Sequence, residues 1–323
     1  MKVISGPFKD DIKNYIDYRI NISHQKLSTV ISELKAFDEY TSKAKTGSVL
    51  TKEIVEDWLT LRENENPKTF NKRLYTMRVF AKYLNMIGKK AFVIDPKYYL
   101  KESKFVPHIY TNKEIKIFFE SINNFINDFN IKGISHRKIQ ITLIFKLIYC
   151  CGLRISECLN IKYDDINLNE GSIKIGHSKF NKDRLVFINN DLISNLDYYI
   201  KNCLNNKCKY IFYNQRTNDK IRYGTISHFF KFIVEKSNLD KNVRYRIHDF
   251  RHTFAVNNIR RAFENNESVD SLLPVLMNYM GHSDIKDTEY YLRLTPDVYK
   301  AITIKYEKQF VGIFNKEDDI IEK

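Results

Sequence analysis

The chain has 323 residues, and its 43% hydrophobic and 28% charged residues are typical of a globular protein with a sizeable core. Lysine and arginine number 53 against 39 aspartate and glutamate residues, and the net charge of +14 favours a polyanionic partner such as nucleic acid. Polar residues interrupt the apolar runs and the N-terminus has no apolar signal core, so we expect no membrane span and a cytoplasmic location.

Residues 1–91 are predicted to form a helical domain. Apolar residues recur at helical spacing from Leu27 to Phe37, Thr51 is a plausible N-cap, and a third helix follows Pro67. Opposite the apolar stripe of this third helix lie four cations: Lys68, Lys72, Arg78 and Lys82. Such a row can neutralise successive phosphates of a DNA backbone. A solvated charged face is the commoner explanation for one helix taken alone.

Residues 92–110 are predicted to be an interdomain linker, because Pro96 and Pro107 bracket a stretch without sustained periodicity. The second domain, residues 111–323, begins with a capping-box pattern in which Thr111 precedes Glu114 by three positions.

Helices and one hairpin are predicted in the second domain. A long apolar helix covers about 137–151, Gly152 interrupts it, and a short helix restarts at Arg154. Strands at Ser172–Gly176 and Arg184–Ile188 are predicted to form a hairpin around a polar turn. Further helices are expected at about 191–203, 225–237, 248–263 and 272–280, with Gly281 as the stop of the last. The predicted fold class is mainly α with a small antiparallel β-sheet.

Four short segments of this domain carry an unusual set of chemically active side chains. They are the runs at 152–157 with Arg154, at 248–252 with His248 and Arg251, at 280–282 with His282, and at 288–291 with Tyr290 and Tyr291. Each has a simpler structural explanation when considered alone: an ion pair, an exposed helix face, a helix cap, a core tyrosine. Together they form the inventory that a single reaction requires.

That reaction is phosphodiester transesterification. Its transition state gains negative charge on the non-bridging oxygens, which two arginines can hold bidentately better than lysines can. A phenol needs help to lose its proton before it can attack, and the departing 5′ oxygen needs a proton that a lysine or histidine can supply. A covalent tyrosine intermediate conserves the energy of the broken bond, so rejoining requires no ATP.

These segments resemble the tyrosine recombinase (phage integrase) family. The order of an arginine, a hairpin lysine, His-x-x-Arg, Gly-His and a tyrosine nine residues later matches its signature, and the resemblance extends over the whole chain. It implies a helical core-binding (SAM-like) domain at about 1–95 followed by the family's catalytic domain. It also implies site-specific cleavage and rejoining of DNA strands through a 3′-phosphotyrosyl intermediate.

The resemblance implies a role for each matching residue. Arg154 and Arg251 would clamp the scissile phosphate, His248 would be the general base or a phosphate donor, and His282 a second donor. Tyr291 would be the nucleophile, with Tyr290 as the fallback. Lys179 matches the hairpin lysine that protonates the leaving oxygen, with Lys182 as the alternative. Glu157 matches an acidic position that orients Arg154.

The resemblance also suggests partners. We expect double-stranded DNA recombination sites and a homotetramer on DNA, with a C-terminal segment, about Ile302–Lys323, exchanged between subunits or packed in cis. No cofactor is expected, and the five cysteines lack the spacing of a metal site. A type IB topoisomerase and a non-catalytic DNA-binding regulator are the alternatives. The run Leu273–His282 is similar to mobile-element integrases and transposases, which favours integration or transposition over dimer resolution or inversion.

Overall fold

A computed structural model describes most of the chain and separates it into two compact units, Met1–Phe105 and Val106–Lys323. The described residues are 5–23, 27–103, 106–125, 134–176, 183–203, 208–282, 284 and 286–295. The boundary between the units falls inside the segment 92–110 that the sequence predicts to be a linker. Much of that segment packs against one unit or the other, since Ile94 is buried in the first core and Tyr110 in the second.

The first unit is a set of packed helices. Its described helices are α1 (Lys9–Ser23), α2 (Ser28–Lys43), α3 (Lys52–Trp58) and α4 (Pro67–Met86). Two of the predicted helix starts are confirmed. The Thr51 hydroxyl accepts a hydrogen bond from the backbone N–H of Ile54 at 3.4 Å, and α4 begins at Pro67 after the Asn66 cap. The apolar faces of these helices form one core around Phe37, Leu74 and Phe80.

The four cations predicted to bind DNA all lie on α4, but they are not equivalent. Lys68, Lys72 and Lys82 are exposed. Arg78 is half-buried and its Nη1 donates to the backbone carbonyl of Ile94, so this side chain also anchors the segment that follows α4. A DNA-binding role for the four remains a prediction.

The second unit is helical with two small sheets. Its described helices are α5 (Asn112–Phe125), α6 (Ile134–Cys151), α7 (Ile155–Cys158), α8 (Asn190–Cys203), α9 (Tyr223–Lys236), α10 (Ile247–Glu264), α11 (Val269–Met280) and α12 (Lys286–Glu289). Its strands are β1 (Ile166–Asn167), β2 (Ser172–Ile175), β3 (Arg184–Phe187), β4 (Tyr213–Asn214) and β5 (Asp219–Lys220). β1, β2 and β3 form an antiparallel sheet in that order, and β4 pairs with β5.

The predicted fold class, mainly α with a small antiparallel sheet, is confirmed. The capping box at the start of α5 forms as predicted, because the Thr111 backbone N–H donates to Glu114 Oε2 at 2.7 Å while the Thr111 hydroxyl accepts from the Glu114 N–H at 3.2 Å. The hairpin strands β2 and β3 also form. The strands β1, β4 and β5 were not predicted, because two residues are too few to reveal an alternating pattern.

The core of the second unit surrounds α6, which is apolar on most of its circumference and packs against α8 and α10. Phenylalanine rings from three helices meet beside it: Phe118 lies 5.0 Å from Phe145 and 4.9 Å from Phe250, measured between ring centroids. This packing fixes α10, which carries His248 and Arg251, against α6, whose C-terminal end is followed by Gly152 and Arg154. Among the described helices, none is long and apolar enough to cross a membrane.

Candidate active site

A cavity of about 390 Å³ in the second unit collects side chains that are far apart in the sequence. It lies where the start of α7, one face of α10, the end of α11 and the residues after α12 meet. Its lining residues are Arg154, His248, Arg251, His252, His282, Tyr290 and Tyr291. The structure therefore brings together five residues that the sequence singles out for catalysis: Arg154, His248, Arg251, His282 and Tyr291.

Helix α10 presents His248, Arg251 and His252 to the cavity, because residues three and four positions apart share one helix face. Arg251 is buried, with 1% of its side chain exposed. Its Nη1 donates to the carbonyl of Gly152 at 2.6 Å and its Nη2 to the carbonyl of Met280 at 2.7 Å. Two main-chain oxygens, one just after α6 and one at the end of α11, thus fix the orientation of this guanidinium.

Arg154 is held at the N-cap of α7 by Glu157. Its backbone N–H donates to Glu157 Oε2 at 2.9 Å, its Nη1 to Glu157 Oε1 at 2.7 Å, and its Nη2 to the carbonyl of Gly281 at 3.0 Å. Burial would raise the pKa of Glu157, but hydrogen bonds and charges from Arg184 and Arg154 outweigh it and bring the pKa to about 2. Glu157 is therefore ionised at neutral pH and orients the arginines around it.

The end of α11 forms one wall of the site. Gly281 has φ +66°, a left-handed conformation that suits glycine at a helix end, and the N–H of His282 donates back to the carbonyl of Met277 at 3.0 Å. Gly281 is therefore the helix stop that the sequence predicts. The turn directs His282 into the cavity, where its Nδ1 lies 2.9 Å from the Thr288 hydroxyl.

The three histidines of the cavity are uncharged at neutral pH. Burial of the imidazole, reinforced by Arg251 and Arg154, lowers the pKa of His248 to about 4, although the residue as a whole is exposed. Burial and neighbouring cations also lower the pKa of His252 and of His282 to about 3. The positive charge of the cavity thus comes from its arginines, while the imidazoles can accept or share protons.

Tyr291 lies at the base of the cavity and is 2% exposed. Its ring packs in a cluster with residues of α10 and α11, 5.6 Å from the His252 ring and 6.1 Å from the His282 ring. Tyr290 lines the same cavity and is half-buried, and burial raises its pKa. Geometry alone admits both tyrosines as nucleophiles.

Two predicted residues fall outside what the structure describes. Lys179 and its alternative Lys182 belong to residues 177–182, between β2 and β3.

Two residues of the site were not predicted from the sequence. Arg184 donates to Glu157 from the first position of β3, and His252, which was given no role, lines the cavity. The signal for His252 was its position four residues after His248. In the described part of the chain, no three His, Cys, Asp or Glu side chains converge as a metal site requires.

Gly152 lies directly behind the site, and Gly152→Ala is expected to destabilise the second unit by about 2–4 kcal/mol. Its φ is +60°, and an added Cβ would lie 2.5 Å from Cδ1 of Phe254. Denaturant unfolding measures the effect. The matched control is Gly224→Ala in α9, where a Cβ meets nothing within 4 Å among the described residues. Equal unfolding midpoints for the two variants would contradict the prediction.

Relatives of known class cover nearly the whole chain. It is 24% identical over 312 residues to y4rB of Sinorhizobium fredii, named an integrase/recombinase, a match that spans 94% of this chain and 98% of that protein. It is 22% identical over 298 residues to tyrosine recombinase XerD of Staphylococcus haemolyticus, which covers 88% of this chain and 93% of that one.

Solved structures share the fold. The XerH site-specific recombinase bound to palindromic difH substrate superposes with a TM-score of 0.65 at 19% identity, over 92% of this chain and 84% of that one. The Tn1549 transposon integrase in complex with circular intermediate DNA superposes with a TM-score of 0.61 at 17% identity, over 89% of this chain and 95% of that one. The sequence model described as the phage integrase family matches residues 115–297, more than half of the chain. The chain therefore belongs to the phage integrase family, the tyrosine-type site-specific DNA recombinases.

Proposed function

We propose that the cavity is the site of DNA strand cleavage and rejoining, with Tyr291 as the nucleophile. The observation that carries this proposal is the convergence of two anchored arginines, three histidines and two tyrosines in one cavity. In the cleavage step the Tyr291 hydroxyl oxygen bonds to the scissile phosphorus and the bond from phosphorus to the 5′ oxygen breaks. The products are a 3′-phosphotyrosyl link and a free 5′ hydroxyl, and the reverse attack by a 5′ hydroxyl rejoins the strand.

Arg154 and Arg251 are proposed to bind the non-bridging oxygens of the scissile phosphate. Carbonyls and Glu157 hold both guanidiniums before any substrate arrives, so little reorganisation is needed when charge develops in the transition state. His248, neutral at physiological pH, is proposed to take the proton of Tyr291 or to hydrogen-bond the phosphate, and His282 to add a second hydrogen bond. Lys179 is proposed to protonate the leaving 5′ oxygen.

Double-stranded DNA recombination sites are the proposed substrate. The net charge of +14 and the exposed lysines of α4 support this, and both solved structures named above are complexes with DNA. On DNA we propose a homotetramer, in which the segment 302–323, outside the described residues, reaches a neighbouring subunit. Integration or transposition of a mobile element is the proposed role, with dimer resolution or inversion as the alternative.

Covalent trapping tests the chemistry. The protein is incubated with nicked duplexes from the DNA that flanks its gene, in which loss of a short 5′-hydroxyl fragment prevents rejoining. We expect a protein–DNA adduct on a denaturing gel, with the DNA attached through its 3′ phosphate. Binding to a duplex without any adduct would contradict the proposal and favour a DNA-binding regulator. Relaxation of supercoiled plasmids lacking a specific site would favour a type IB topoisomerase.

A further inference from the structure

Arg184 is a third arginine at the site, but it lies behind the cavity rather than among the residues that line it. Its side chain is 10% exposed. Its Nη1 and Nη2 donate to the two carboxylate oxygens of Glu157 at 3.2 and 2.8 Å, while its Nε donates to the carbonyl of Tyr279 at 2.7 Å. One planar guanidinium therefore ties β3 to α7 and to the last turn of α11.

Three arginines bind the carbonyls at the C-terminal end of α11. Arg184 donates to the oxygen of Tyr279, Arg251 to that of Met280 and Arg154 to that of the C-cap residue Gly281, with a longer contact of 3.4 Å from Arg154 to the Met280 oxygen. The C-terminus of a helix carries partial negative charge and unpaired carbonyls, so it is a natural anchor for cations. At Gly281 an added Cβ would lie 2.9 Å from Arg184 Nη1, which shows how closely Arg184 packs beneath the turn that leads to His282.

Arg184 also changes the charge that a phosphate would meet. Glu157 lies 2.7 Å from Arg154, 2.8 Å from Arg184 and 3.8 Å from Arg251, measured between charged atoms. With Arg184 the group carries three positive charges and one negative, a sum of +2. Without Arg184 the sum falls to +1. The Glu157 carboxylate would then neutralise more of the charge of the two arginines that face the cavity.

We propose that Arg184 is a positioning residue for strand cleavage. It neutralises the charge of Glu157, so that Arg154 and Arg251 face the scissile phosphate with their full charge. It also fixes the end of α11, which places His282 correctly. This inference rests on the proposed function, because it assumes that the cavity binds a phosphodiester.

The first test compares wild type, Arg184→Lys and Arg184→Met in single-turnover adduct formation at saturating DNA. Arg184→Met is expected to slow cleavage roughly tenfold to a hundredfold, the usual cost of losing hydrogen bonds to a charged group. Arg184→Lys is expected to be intermediate, because one ammonium keeps the charge but cannot make all three contacts. Lys174→Met, which breaks an exposed ion pair to Asp183 just before β3, is the matched control and should cleave like wild type.

A second readout separates positioning from mere loss of folded protein. A scissile methylphosphonate replaces one charged oxygen with a methyl group, so its cleavage depends less on the cationic clamp. The ratio of the wild-type to the Arg184→Met cleavage rate constant is expected to be at least about fivefold smaller on this substrate than on the ordinary phosphodiester. A misfolded fraction would lower the yield of adduct on both substrates by the same factor without changing either rate constant. An equal deficit in rate constant on both substrates would overturn the proposal.

A double-mutant cycle with Glu157→Gln tests the charge argument. Once Glu157 is uncharged, Arg184 has no negative charge to take up, so Arg184→Met should cost clearly less in that background than in wild type. Strict additivity of the two substitutions, or a wild-type rate in Arg184→Met, would refute the inference while leaving the proposed function intact. Absence of an adduct with wild type would instead refute the proposed function itself.

Discussion

Tyr291→Phe is expected to abolish the covalent adduct, a loss of more than about 10⁴-fold in single-turnover cleavage, because it removes the oxygen proposed as the nucleophile. The substitution keeps the aromatic ring. The ring packs with α10 and α11 residues in a hydrophobic cluster that is separate from the main core of the second unit. Folding and DNA affinity should therefore stay close to those of wild type. Adduct formation on nicked duplexes measures the first effect, and an electrophoretic mobility shift measures the second.

Tyr290→Phe is the matched control for this substitution. Tyr290 precedes Tyr291 and lines the same cavity, so both variants lose one hydroxyl from the same site. Tyr290→Phe is expected to retain adduct formation. The opposite pattern, an adduct that survives in Tyr291→Phe and disappears in Tyr290→Phe, would transfer the nucleophile to Tyr290 and leave the rest of the proposal standing.

The parts of the site that could be predicted from the sequence are those that depend on local rules. A glycine after a long apolar helix predicted the break at Gly152, and a glycine after the predicted helix at about 272–280 predicted the stop at Gly281. Both glycines have positive φ. The spacing of three between His248 and Arg251 predicted a shared helix face. The polar turn between alternating strands predicted the β2–β3 hairpin. In each case the information lies within a few residues.

The contacts that could not be predicted are those made between distant segments. Nothing in the sequence near Arg184 indicates that it bonds Glu157, 27 positions earlier, or a carbonyl of α11, 95 positions later. The two-residue strands and the anchoring of Arg78 on Ile94 are of the same kind. A helical wheel separates the faces of α4, but it cannot tell which cation on the polar face meets a backbone carbonyl instead of solvent.

Arg251→Lys is expected to slow adduct formation by about 10²- to 10³-fold at neutral pH, the usual effect of removing one preorganised donor from a transition-state site. The arginine donates to the carbonyls of Gly152 and Met280 with separate nitrogens, so it joins the segment after α6 to the end of α11 while it faces the cavity. A lysine offers one nitrogen and cannot hold both carbonyls and a phosphate oxygen in the same geometry. DNA affinity should change much less than the rate, since a chain with a net charge of +14 has many other cations available to the DNA backbone.

The pH dependence of this variant gives a sharper criterion. Burial, with the repulsion of Arg154, lowers the pKa of Arg251 to about 10, so the arginine stays charged throughout the physiological range. The same environment would lower the pKa of a lysine at this position below its usual value of about 10.4, because desolvation penalises any cation there. The rate of Arg251→Lys relative to wild type should therefore fall further as the pH rises from about 7 to about 9.

The control for this experiment is Arg261→Lys, on an exposed position of the same helix, whose rate should follow wild type at every pH. A constant ratio between Arg251→Lys and wild type across that range would mean that the lysine keeps its charge, and that lost geometry alone causes the defect. A wild-type rate for Arg251→Lys would remove Arg251 from the phosphate clamp. The two arginines would then no longer be equivalent, and Arg154 with Glu157 and Arg184 would have to carry the developing charge.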